Sequence, residues 1–398
     1  MRLLIALSAV VFFASAVRTR ATRRLVVPGP PKLPFSAAVS ADGLIYLAGA
    51  LGTGADIRIV DGGIRAQTRQ ALDNLDAALR QAGSSLPNAV SVHVYLRDAA
   101  DVAAMNEVYR AVFPDAPPAR TTVVVDALAL PEAIVEISLV AVPEGAERRV
   151  VLPGGWLPPA SPYSYGIRTG RTLFLSGLVS RNAVDHATVP GSVSQQTGIA
   201  LGNAKTILEA AGMSLADVVS SRVFLPDMST FEEMNGAYRT WFPAAPPARA
   251  TAKAGLTAAP LRVEITLVAV EGAERRAFTT PNADGTPGTP NPNLSAAIRT
   301  GNRLYLAGIA GNAPGAKDDV RTQTAEALAR IGRTLHAAGF DWPDVVDGIV
   351  YLRNMSDFAQ MNAAYTGVLT APLPARATVG VDPAGAGALV ELMLTAVK

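Results

Sequence analysis

Met105-Asn106-Glu107-Val108-Tyr109 is followed, fourteen residues past its Asn, by Arg120; Met234-Asn235-Gly236-Ala237-Tyr238 leads at the same distance to Arg249, and Met361-Asn362-Ala363-Ala364-Tyr365 to Arg376. The chain is one module written three times, and a period misread as a single domain would give the wrong fold and the wrong site. Gln67-Thr68, Gln196-Thr197 and Gln323-Thr324 are offset by 129 and 127 residues, as the arginines are, so insertions are confined to the front of each copy. Val94-Tyr95-Leu96-Arg97-Asp98 and Ala116-Pro117-Pro118-Ala119-Arg120 recur in the same register.

A repeat of this length is the size of an independent domain and far longer than a solenoid unit. Three tandem domains are read, at residues 28–143, 152–270 and 288–398. Glu144-Gly145-Ala146-Glu147-Arg148-Arg149 recurs as Glu271-Gly272-Ala273-Glu274-Arg275-Arg276, and residues 279–292 are rich in Pro, Gly, Asn and Thr. Such a stretch buries too little apolar surface to offset its ordering entropy, so it reads as an exposed connector.

Of 398 residues, 49% are hydrophobic and 17% charged, ample for several cores. A formal charge of +2 argues against a nucleic-acid partner. Residues 1–16 join Arg2 to an apolar run that ends in Ala14-Ser15-Ala16, the form of a signal peptide cleaved near Ala16. A secreted or periplasmic protein with no membrane segment after processing is expected. The absence of cysteine excludes disulfides, thiolate chemistry and zinc–thiolate sites.

Within each copy, an alternating run such as Leu44-Ile45-Tyr46-Leu47-Ala48-Gly49 reads as a strand. Ala71, Leu72, Leu75, Ala78 and Leu79 follow at helical spacing, with a stop at Gly83 and its counterparts Gly212 and Gly339. A second strand, a second helix holding Met105 and Tyr109, and two further strands give the order β, α, β, α, β, β. The class is α+β. In the last strand Val135, Ile137, Leu139 and Ala141 form one apolar face, to lie under the helices. The opposite set, Ile134, Glu136, Ser138, Val140 and Val142, is too apolar for water. Three copies supply its cover: an intramolecular pseudo-trimer, monomeric in solution, with sheets inside and helices outside.

Arg120, Arg249 and Arg376 each open a strand, and Glu136, Glu264 and Glu391 each sit in an apolar strand 15 or 16 residues later. A charge there is costly unless paired. One reading is a structural Arg–Glu ion pair that fixes sheet register. The other is a guanidinium that grips a substrate carboxylate while Glu positions water or moves a proton. Asn106, Asn235 and Asn362 read as helix-surface or capping amides, and Met105 and Tyr109 as core by spacing. His93, His186 and His336 occupy unrelated repeat positions, and no phosphate loop or dinucleotide fingerprint is present. Neither metal nor cofactor is called for.

With its Pro-Tyr-Ser start, Ser-Gly strand end, Asn-x-x-Tyr helix, Pro-x-Arg strand start and apolar last strand holding Glu, each copy resembles the Rid/YjgF family of enamine and imine deaminases. That resemblance implies chorismate-mutase-like α+β subunits with sites in clefts between them. Carried over residue by residue, copy two is complete, with Tyr163, Ser176, Gly177, Asn235, Arg249 and Glu264. Copy one has Phe35 and Ala48 for the two hydroxyl residues and keeps Gly49, Asn106, Arg120 and Glu136. Copy three has Leu294 and Ala307, and keeps Gly308, Asn362, Arg376 and Glu391.

The resemblance further implies that Arg holds the carboxylate of a 2-imino or 2-enamino acid, that backbone groups near Gly177 hold the substrate, and that Glu264 aligns water. A 2-keto acid and ammonia result. Burial should raise the glutamate toward neutrality. The competing readings are an exported, non-catalytic pseudo-trimer that binds small carboxylates, and RNA cleavage, which the near-zero charge disfavours.

Overall fold

The computed structural model describes residues 24–272, 274–312 and 319–398. The leader read at residues 1–16 lies outside them. Repeat 1 runs as strands Ser36–Ala41 and Leu44–Leu51, helix α1 (Gly63–Gln81), strand Ala89–Leu96, helix α2 (Val102–Val112), and strands Ala119–Val124 and Val135–Ala141. Repeats 2 and 3 repeat the order with α3 (Val193–Ala210) and α4 (Phe231–Trp241), then α5 (Val320–Ala337) and α6 (Phe358–Thr366). The sequence reading missed the first strand of each repeat. Its signal was Asp42-Gly43, whose φ values of 48° and 75° make the tight turn that pairs Ala41 with Leu44.

The long helices form where the spacing placed them. Ala71, Leu72, Leu75 and Leu79 are buried against the sheet, and Gly83, Gly212 and Gly339 take the left-handed conformation that ends each helix. The shorter helices start on a recurring polar side chain. Asp98 accepts the Ala100 N–H at 2.9 Å, Asp227 that of Ser229 at 2.9 Å, and Asn354 that of Ser356 at 3.0 Å. Strand Ala89–Leu96 pairs parallel with Ala119–Val124 across the α2 crossover and antiparallel with Val135–Ala141.

As the alternation required, Val135, Ile137, Leu139 and Ala141 pack with α1 in a core private to repeat 1. The other face is covered by the sister repeats. Tyr95, Phe224 and Tyr351, equivalent positions of the three repeats, share one core with Val123, Ala252 and Val379. Each such fully buried side chain contributes roughly 1.5–3 kcal/mol, so the shared layer is a substantial part of what holds the repeats together.

The joints between repeats are built alike. The Ser36 amide donates to the Pro374 carbonyl at 2.9 Å, Ser164 to Pro118 at 3.1 Å and Ser295 to Pro247 at 3.2 Å. Their hydroxyls donate to the carbonyls of Leu373, Pro117 and Pro246. Repeat 1 is thereby tied to repeat 3, repeat 2 to repeat 1, and repeat 3 to repeat 2. Among the described residues no helix is long and apolar enough to cross a membrane.

Candidate active site between the repeats

Each motif arginine is held by its own repeat and aimed at the next. Arg120 Cζ lies 4.6 Å from the Tyr109 ring centre, Arg249 4.7 Å from Tyr238, and Arg376 4.7 Å from Tyr365. The tyrosine that helical spacing assigned to the core is thus also a platform for the guanidinium. In repeat 2, Asn235 Oδ1 accepts from Arg249 Nη2 at 2.6 Å, and in repeat 3, Asn362 Oδ1 accepts from Arg376 Nη2 at 2.8 Å. These asparagines position arginines rather than cap helices. Asn106 departs from them: its Oδ1 is buried without a partner, and Arg120 Nη1 lies 4.0 Å from Met105 Sδ instead.

The glutamates face the arginines of a different repeat. Charge interactions link Glu136 with Arg376, Glu264 with Arg120, and Glu391 with Arg249. The complete set assigned to copy two is therefore divided. Arg249 and Asn235 belong to the cleft with Glu391, whereas Tyr163, Ser176, Gly177 and Glu264 face Arg120. A run of motifs along one chain records what each repeat carries, and the cleft is made by two different repeats.

The ion-pair reading does not hold. No nitrogen–oxygen contact within 4.0 Å joins these partners among the described residues. Burial pushes all three glutamates up to about 8, against the lowering effect of the Thr378, Thr122 and Thr251 amides and of the facing arginines. Burial also pushes each guanidinium down. A locked pair would move both groups the other way.

Nε and Nη1 of Arg249 and Arg376 are buried without a partner. These N–H groups keep donor capacity that no protein atom uses.

Glycines seat the carboxyls. A Cβ at Gly49 would lie 1.8 Å from Glu136 Oε1, at Gly177 1.9 Å from Glu264 Oε1, and at Gly308 1.8 Å from Glu391 Oε1. The resemblance implies substrate-holding backbone groups near Gly177; the Gly177 N–H itself donates to the Arg120 carbonyl at 3.1 Å, as the Gly308 N–H does to Arg249. The Ser176 hydroxyl is also taken, since it accepts the Arg120 N–H at 3.0 Å and donates to the Ser164 carbonyl. Its replacement by Ala48 and Ala307 removes a tie between repeats. Tyr163 is half-buried near Arg120, Glu264 and Arg181, a second guanidinium that the sequence reading passed over.

Open volume separates the three clefts. Between repeats 1 and 3 a cavity of about 580 Å³ is lined by Phe35, Ala48, Gly49, Glu136, Arg376 and Thr378. Phe35 stands 5.6 Å from Arg376 Cζ. A groove of about 280 Å³ between repeats 1 and 2 reaches Tyr163 and Pro117, and one of about 950 Å³ between repeats 2 and 3 reaches Leu294, Ala307 and Gly308. Neither of these is lined by its arginine or its glutamate.

A family model described as Endoribonuclease L-PSP matches the chain over residues 28–143, 156–271 and 288–398. The chain belongs to this family, the Rid/YjgF proteins. It carries three family domains in tandem. A RutC family protein of Sulfurisphaera tokodaii is 37% identical over 114 residues, which cover 29% of this chain and 91% of that protein. The 2-iminobutanoate/2-iminopropanoate deaminase of Mus musculus is 38% identical over 111 residues, covering 28% and 82%. Of solved structures, a chorismatase aligns with 78% of this chain and 93% of its own at a TM-score of 0.54 and 16% identity, a likeness of fold alone. The Rid relatives each match one repeat, whereas the chorismatase spans more than two.

Proposed function

We propose that the chain is a hydrolytic deaminase of 2-imino and 2-enamino acids, working in the cleft between repeats 1 and 3. The observation that carries this reading is the pairing, in one open cavity, of a buried guanidinium with unpartnered N–H groups and a glutamate raised to about 8. Similarity of single repeats to proteins named 2-iminobutanoate/2-iminopropanoate deaminase supports it.

Arg376 binds the substrate carboxylate through an unpartnered guanidinium N–H and its charge, which places C2 toward Glu136. At pH 7 Glu136 is mostly neutral and gives its proton to the imine nitrogen. Water then adds to C2, its proton passing to the Glu136 carboxylate, and the carbinolamine forms. Glu136 returns that proton to the amino nitrogen, and the C–N bond breaks as the hydroxyl proton goes back to the carboxylate. A 2-keto acid and ammonia leave, with Glu136 as it began. The Thr378 amide, which donates to the carboxyl, stabilises its charged intervals.

Ammonia release from 2-iminopropanoate generated in situ tests the reading. Wild type should exceed buffer, and Arg376→Ala and Glu136→Gln should fall to buffer. If wild type equals buffer while keto acids still bind, the protein is a carboxylate-binding protein without catalysis.

A further inference from the structure

The cavity that holds Arg376 and Glu136 has only those two charged side chains among its lining residues, and the rest of its wall is largely apolar. Leu33 and Phe35 come from the start of repeat 1, Leu130 from the loop before its last strand, and Phe358 from α6 of repeat 3. A volume of about 580 Å³ far exceeds what a two- or three-carbon acid fills. Water left against such a wall gains little, and an apolar group that displaced it would gain in proportion to the area covered.

The rim carries a second, independent sign. Ile57 is 52% exposed and lines the same cavity, at the tip of a small hairpin closed by the Thr53–Ile59 bridge and by the Gly54 N–H to Arg58 carbonyl bond of 2.9 Å. Its φ is 64°. A β-branched residue in left-handed conformation is an outlier that costs about 1–3 kcal/mol, and such strain clusters at ligand clamps. Turn geometry alone would favour Gly or Asn here. The repeat keeps instead a large apolar side chain, strained and exposed, over an apolar hole.

The corresponding place in repeat 2 differs in kind. Four residues past Gly49 stands Thr53, which lines the cavity, while four past Gly177 stands Arg181. Repeat 2 thus places a charge, and repeat 3 the amide of Asn312, where repeat 1 has a small side chain.

We propose that this cleft selects carboxylates bearing a large apolar substituent at C3, branched aliphatic or aromatic, and that Ile57 covers that substituent. Arg376 takes the carboxylate, the Leu33, Phe35, Leu130 and Phe358 wall takes the side chain, and the hairpin tip closes over it. The inference rests on the assignment of the site to this cleft, but its selectivity can be read without turnover.

Calorimetric titration of the full chain with 2-oxo-3-phenylpropanoate and with 2-oxobutanoate, stable acids of the product type, is the test. The aromatic acid should bind about tenfold tighter or more. Ile57→Asn, which suits the left-handed turn and preserves the fold, should shrink that ratio severalfold without lowering Tm, and Arg376→Ala should weaken both acids. Equal affinities, or a ratio that Ile57→Asn leaves unmoved, would overturn the proposal. Selective binding without ammonia release from the matching imines would sink the deaminase reading alone, and ammonia release without size preference would sink this one alone.

Discussion

The guanidinium of Arg376 and the carboxyl of Glu136, from different repeats, face one another across a single cleft without forming an ion pair. Both are buried, and each departs from its ordinary value in the direction of the uncharged form. A buried guanidinium without an ion-pair partner is costly, and in the proposed function the substrate carboxylate offsets that cost.

Replacement of Arg376 tests the anion receptor. Arg376→Ala should weaken keto-acid binding by about ten- to a hundredfold, as expected for loss of charge-assisted hydrogen bonds in a buried site. Arg376→Lys should recover little, since an ammonium cannot lie flat on Tyr365 while it also holds Asn362 and an anion. Equilibrium titration of both variants gives the answer.

The acid role of Glu136 predicts a pH profile. A group held at about 8 is protonated at pH 7, so the rate should hold to the acid side and fall as pH rises through about 8. Glu136→Gln should lower kcat by about 10²- to 10⁴-fold and remove that limb from whatever rate remains. A rate that instead rises through pH 8 would mean that the carboxylate is the working form.

Much of this was legible in the sequence because each repeat repeats its chemistry. Offsets shared by Gln67, Gln196 and Gln323 with the three arginines fixed the tandem count, and the two apolar faces of the strand at residue 135 foretold that sheets would meet. What stayed hidden was which repeat meets which. Arg249 and Glu264 share a repeat yet serve different clefts, because an edge strand projects its side chains toward a neighbour, and neighbour order is a tertiary fact. Ser176 misled for a related reason: a hydroxyl can equally serve a substrate or a joint, and only the Arg120 amide at 3.0 Å decides. The role of Tyr365 was masked by its spacing, which a core residue and a cation platform share.

Gly49→Ala tests whether the carboxyl needs its seat. The new Cβ would fall 1.8 Å from Glu136 Oε1, so the carboxyl must move. Activity should drop toward that of Glu136→Gln, with a stability cost of about 1–3 kcal/mol from overpacking. The same change at Gly308 displaces Glu391, which does not line the groove between repeats 2 and 3, and should cost stability but little activity.

The joints predict the state of assembly. Ser36, Ser164 and Ser295 already have partners in the same chain, so each repeat has its contacts without a second copy. Light scattering should give a monomer near 41.3 kDa, less any leader removed. A mass three times larger would show the joints to be made between chains.

Stability should decline with pH above neutrality. Glu136, Glu264 and Glu391 stand at about 8 in the folded protein and near 4.5 when free, so between these values the folded state binds protons that the unfolded state has lost. Their contribution is whole below pH 4.5 and is lost as pH rises through about 8. Half-buried His93 acts oppositely: its folded value lies well below 6.5, so its effect is spent once pH passes 6.5. From pH 6.5 to 8 the glutamates act alone among these groups, at up to about 1.4 kcal/mol per pH unit each. Tm should fall across that window, and Glu136→Gln should reduce the slope by about a third while raising Tm at pH 8. Denaturation curves at pH 6.5, 7.25 and 8 measure it, and a Tm that Glu136→Gln leaves equally pH-dependent, or that stays flat across them, would mean that the three carboxyls are ionised in the folded chain.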